Sequence, residues 1–95
     1  MPSDGWVKIE LVHYKALLAQ IQDACSHHDI LGFTSLEVHS GFGPLQGFYN
    51  EDSVDTRYYT FMVVEAQQAP QLIQQLKACK AAEGLFMFYT PIVPC

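Results

Sequence analysis

Gly32-Phe33-Thr34-Ser35-Leu36-Glu37-Val38-His39-Ser40-Gly41-Phe42-Gly43 reads as a strand that runs into a glycine-rich turn. Apolar Leu36 and Val38 alternate with Ser35, Glu37 and His39, the period-two pattern of a half-buried strand, so a strand is expected from Phe33 to Ser40. Beyond the turn, a polar loop from Pro44 to Thr56 leads to the next strand, Arg57 to Glu65. Loops of that length are uncommon in compact domains and usually carry function.

Outward from this stretch the periods change in a regular order. Upstream, Val7, Ile9 and Leu11 alternate with Lys8 and Glu10, a first strand. From Tyr14 the spacing turns helical, with Leu17, Leu18, Ile21, Ala24, Cys25 and His28 on one face, and the helix is expected to end near His28. Downstream, Arg57 to Glu65 is rich in aromatic and β-branched residues, as strands are. Ala69-Pro70 opens a second helix, where the missing proline N–H is tolerated. Leu72, Ile73, Leu76 and Cys79 form its buried stripe, and Gly84 is a candidate left-handed cap. Leu85 to Tyr89 is the last strand, with Pro91 and Pro94 expected to discourage further pairing. The order β-α-β-β-α-β predicts an α+β, ferredoxin-like domain: a four-stranded antiparallel sheet with two helices on one face.

Two helices cover only one face of such a sheet. The other face should be polar in a monomer, yet the third strand offers Tyr59, Phe61 and Val63 on one side and Tyr58, Met62 and Val64 on the other. The last strand sets Leu85, Met87 and Tyr89 against Phe86 and Phe88. An apolar second face marks an interface, and a closed homo-oligomer is expected. Composition agrees. The 95 residues make one domain, 1–95, of which 49% are hydrophobic and only 16% charged, against about a quarter in ordinary domains.

The net charge of −5, with Lys8, Lys15, Arg57, Lys77 and Lys80 forming no run, argues against nucleic acid, which demands clustered cations. No basic-then-apolar leader opens the chain, and no segment reaches the ~20 apolar residues of a membrane span. The expectation is a cytoplasmic protein that is not membrane-embedded. Cys25, Cys79 and Cys95 lack metal-type spacing and are read as free thiols.

Gly32-Phe33-Thr34 leading into Glu37-Val38, then Gly41-Phe42-Gly43 and Gly47, resembles the PII signalling proteins. In layout the resemblance covers most of the chain; in sequence it is specific from Gly32 to Gly47. It points to the short, divergent PII-like proteins associated with transporters. The resemblance implies a homotrimer with its sheets facing inward and a small effector held in clefts between subunits. It also implies a T-loop, about residues 44–56, that docks on a target such as a membrane transporter or an efflux pump. The effector residues it implies are Thr34, Glu37 and His39 lining the cleft, with Gly41, Phe42, Gly43 and Gly47 where backbone approaches closely. The partner-binding loop would be Phe48, Tyr49, Asn50, Glu51 and Asp52, with Tyr49 a contact rather than a modification site. The implied effectors are an adenine nucleotide, bicarbonate or a divalent transition metal. Three departures bear on that choice. Pro44 and Leu45 stand where the family carries basic and amide side chains. Ala81-Ala82-Glu83-Gly84 brings no lysine to a phosphate, and no C-terminal arginines precede Cys95. Phosphate oxygens need such cations or backbone N–H nests.

The four histidines raise a second reading, a metal-binding PII-like or CutA-like protein of heavy-metal homeostasis with His39 and His13 as ligands. Imidazole with the carboxylates Glu37, Glu51, Asp52 and Asp55 would suit Zn²⁺, Cu²⁺ or Ni²⁺, although the spacing matches no known signature. His27-His28 is read as a helix-end pair, where the dipole favours positive charge. No nucleophile elbow, metalloprotease helix or phosphate loop is present, so the reading is of a regulator and not an enzyme.

Overall fold

The computed structural model describes residues 5–43, 47–50, 56–79 and 85–95. The first strand, β1, spans Trp6–Tyr14, and a 3₁₀ turn, Lys15–Leu17, leads into helix α1, Leu18–Cys25. Then follow β2 (Ile30–Glu37), β3 (Ser40–Gly43), β4 (Gly47–Asn50), β5 (Arg57–Glu65), α2 (Ala69–Lys77) and β6 (Phe86–Ile92). The main sheet has the order β2-β5-β1-β6 with every neighbour antiparallel, the ferredoxin-like arrangement expected from the sequence.

The sheet face under the helices is set by strict alternation. Val7, Ile9, Leu11 and His13 are buried while the residues between them are half-exposed. Opposite them in register lie Val64, Met62, Thr60 and Tyr58. Leu17, Ile21, Ala24 and Cys25 close the core from the first helical segment, and Ala69, Leu72 and Leu76 from α2. Every residue of that stripe is apolar, so burial drives the docking of both helices.

Four differences from the sequence reading have physical causes. Helix α1 ends at Cys25, not near His28, because Ser26 Oγ donates to the Asp23 carbonyl at 2.6 Å and Ser26 and His27 N–H groups take the last carbonyls. β2 begins at Ile30, with a register shift between Ile30 and Gly32. That bulge leaves Leu31 exposed and lets Ile30 and Phe33, three apart, both pack on the core. Part of the expected loop is paired: β3 and β4 form a separate two-stranded ribbon with Gly41 opposite Tyr49 and Gly43 opposite Gly47. Finally, β6 continues through Pro91 to Ile92. It is an edge strand, where a residue whose N–H would point outward breaks no ladder bond. The expected Gly84 cap and the loop residues 44–46 and 51–55 lie outside the described residues.

Candidate functional site

Two features stand out: the base from which the ribbon leaves the sheet, and the sheet face that neither α1 nor α2 covers. The base is built where β2 and β5 end together. Glu37 pairs with Tyr58, and one step further the Val38 N–H donates to the Arg57 carbonyl at 2.9 Å. Arg57 in turn lies over the Tyr14 ring, 4.0 Å from guanidinium carbon to centroid, so the end of β1 is fastened to the same corner.

The expected effector residues do not form one cluster in the single chain. Thr34 pairs with Phe61 and belongs to the uncovered face, whereas Glu37 pairs with Tyr58 and belongs to the helix face. His39 is exposed in the short link between β2 and β3. Gly41, Phe42, Gly43 and Gly47 supply the backbone of the ribbon, as do Phe48, Tyr49 and Asn50. Glu51 and Asp52 lie outside the described residues.

His13 is buried, and both ring nitrogens are engaged. A carbonyl can only accept, so the 2.7 Å contact to the Tyr14 carbonyl places the proton on Nδ1. Nε2 then accepts from the Thr60 hydroxyl at 2.6 Å, and Thr60 Oγ1 meets Ser35 Oγ at 2.6 Å. Burial lowers the His13 pKa below its usual 6.5, opposed in part by the Tyr14 carbonyl. In this geometry both ring nitrogens of His13 are taken up by hydrogen bonds inside the fold. Among the described residues no three His, Cys, Asp or Glu side chains gather as a metal site would need. His28 serves a structural bond: its ring nitrogens contact Gln68 at 3.0 Å and Gln75 at 2.7 Å, joining the end of the first helical segment to α2.

The uncovered face is apolar with one polar knot. Leu36, Phe86 and Phe88 are exposed on it; the rings of Phe86 and Phe88 stand 5.6 Å apart, and those of Tyr59 and Phe61 stand 6.0 Å apart. Among them Lys8 Nζ sits 3.6 Å from Glu10 Oε1 and 4.7 Å above the Phe61 ring. The Tyr59 hydroxyl donates to Glu10 Oε1 at 2.6 Å. Burial, then the hydrogen bond and charge of Glu10, push the Tyr59 phenol up to about 12. Sequence reasoning found the apolar character of this face but not the knot; the signal was Lys8 and Glu10, both turned away from the core by the alternation of β1.

In its fold this chain is similar to solved PII-like proteins. Comparison with solved structures gives it particular counterparts. One is CPII, a nitrogen regulatory PII-like protein from Thiomonas intermedia bound to ADP, AMP and bicarbonate, with 18% identity, a TM-score of 0.74, and coverage of 92% of this chain and 85% of that one. Another is a DUF3240 family protein from Shewanella baltica, with 15% identity, a TM-score of 0.69, and coverage of 97% and 94%. A third is PII from Arabidopsis thaliana bound to citrate, with 22% identity, a TM-score of 0.67, and coverage of 94% and 78%. No protein-family model and no curated protein matches the sequence.

Proposed function

We propose that this chain is a PII-like regulatory protein, not an enzyme, that works as a homotrimer with its open sheet faces turned inward. A small effector binds between copies near the ribbon base. The segment of residues 44–56 then engages or releases a partner, a membrane transporter being the favoured target in a cytoplasmic setting. The observation that carries this reading is the apolar face bearing Leu36, Phe86 and Phe88, which lies opposite both α1 and α2. The effector class follows from the fold's counterparts, which hold ADP, AMP and bicarbonate in one case and citrate in another. Thr34, Glu37, His39, Gly41, Phe42, Gly43 and Gly47 are its proposed contacts, drawn together only when copies meet. Phe48, Tyr49, Asn50, Glu51 and Asp52 are the proposed partner contacts. Regulation would consist of differential effector contacts biasing the ribbon segment between two states.

Light scattering and calorimetry test this together. The expected results are a particle of three chain masses and binding of an adenine nucleotide or bicarbonate that a Gly41→Val change weakens by tenfold or more. A monomer that binds none of AMP, ADP, ATP, cyclic AMP or bicarbonate overturns the reading. Binding of Zn²⁺ or Cu²⁺ alone, abolished by His39→Ala, replaces it with a metal-binding function.

A further inference from the structure

The chain Ser35–Thr60–His13 crosses three strands, β2, β5 and β1, in two hydrogen bonds of 2.6 Å each. Thr60 sits in the middle, buried and directly opposite both Leu11 and Ser35. One end is the buried imidazole, and the other is a hydroxyl only partly buried. Ser35 lies two residues before Glu37, the last residue of β2, from which the ribbon departs.

Hydroxyl groups donate one bond and accept others, so the two ends of this chain are not independent. With neutral His13, Nδ1–H is committed to the Tyr14 carbonyl and Nε2 must accept. Thr60 therefore donates inward, and its lone pair takes the Ser35 proton. Ser35 then offers only lone pairs to whatever lies outside. If His13 gains a proton, Nε2–H becomes a donor and Thr60 must accept it. The Thr60 hydroxyl then turns to Ser35, and the Ser35 O–H is released outward. No bond is lost in the reversal, and the only net change is one proton on Nε2.

We propose that Ser35, Thr60 and His13 form a reversible relay in which protonation of the buried imidazole converts Ser35, beside the ribbon base, from hydrogen-bond acceptor to donor. Proton concentration would thereby act on the segment that the fold projects from β2. Among the described residues, the ionisable groups around His13 are few. Tyr58 stacks on the imidazole from β5, with centroids 6.1 Å apart. Glu37 stands opposite Tyr58 at the end of β2. Arg57 and Tyr14 pair on the other face of the sheet. Lys15 follows β1 in the chain and is exposed, as are Asp23 of α1 and Lys77 of α2. β6 pairs with β1 only as far as Val12 and presents no ionisable group to His13.

The test is a pH titration of the intact, isotope-labelled protein by NMR, taken downward through the ordinary imidazole range near pH ~6.5. Above it, His13 should show a protonated Nδ1 and an unprotonated Nε2. As His13 titrates, the backbone amides of Ser35, Glu37 and Gly41 should shift with the same midpoint. Ser35→Ala should keep the His13 titration and remove the linked shifts at Glu37 and Gly41. Thr60→Val should remove them too and move the His13 midpoint further down, because the charge-assisted bond to Thr60 is the stronger of the two it loses. Should Thr60→Val fail to fold, Ser35→Ala alone decides. Amides that ignore the His13 midpoint, or that follow it unchanged in Ser35→Ala, overturn the relay, as does unfolding before His13 takes up its proton. None of these readouts needs the effector or the trimer.

Discussion

Phe88→Asp should take the proposed trimer apart while leaving each chain folded. In the single chain Phe88 is 44% exposed, and its ring leans on Phe86 at 5.6 Å. A phenylalanine presents about 200 Å², so roughly 90 Å² of ring awaits cover, worth about 2 kcal/mol per copy at ~25 cal/mol per Å². Three symmetric copies lose about 6 kcal/mol, or roughly four powers of ten in association. The aspartates add the cost of burying three carboxylates close together. Chain stability should move by less, since about half of the ring already faces solvent. Size-exclusion chromatography with light scattering is the assay: wild type at three chain masses, Phe88→Asp at one, and Phe88→Leu still assembled. Circular dichroism should find the same fold in all three. A Phe88→Asp protein that remains a trimer would show that the sheet face is not the interface, and the functional reading built on it would fall.

Other outcomes follow from the described contacts. The pKa of His13 is lowered in the fold, so the unfolded chain binds the proton more readily; stability should fall as pH drops from ~6.5 toward the folded value, and His13→Gln should flatten that dependence in urea titrations. The Tyr59 phenol should lose its proton only near pH 12, giving stability that declines as pH rises above the ordinary ~10; Glu10→Gln should bring that titration down, read from the Tyr59 ring resonances. Burial pushes the Cys25 thiol up to about 11, and its sulfur rests 3.5 Å from Met62; iodoacetamide should therefore modify exposed Cys95 first, with Cys25 reacting only on unfolding, as mass spectrometry would follow. Leu76→Ala, in a fully buried α2 position, should cost about 2–4 kcal/mol in chemical denaturation.

The order of strands and helices was legible because each main element keeps one period. β5 was read to the residue, since most of Arg57 to Glu65 is β-branched or aromatic. Where two signals compete, the sequence was less telling. Period-two counting puts Ile30 and Phe33 on opposite faces, and only a bulge at Leu31 reconciles them with the core. The ribbon was missed because its strands are four residues each, glycine-rich, and gain their pairing from each other alone. The proposed effector residues rest on resemblance alone, and the single chain sets Thr34 and Glu37 on opposite faces. The relay was out of reach of motif reading. His13, Ser35 and Thr60 are at least 22 positions apart, and nothing short of the strand register brings them together. In hindsight the cue was a histidine at a core position of β1, which demands partners inside.

Pro91 has a bearing on how copies of this chain add to one another. Its pairing with Val7 is compatible with a strand only if its nitrogen points away from β1. The outer edge of β6 therefore shows a ring where a neighbouring strand would seek a donor. An incoming chain that tried to extend the sheet there would forfeit a bond and collide with the pyrrolidine. Open-ended extension of the sheet is thereby blocked at the edge strand that carries Phe86 and Phe88, exposed aromatics of a kind that promotes fibre growth. The same residue that looked like the end of a strand acts as a guard on it, leaving face-to-face closure as the safer use of that apolar surface.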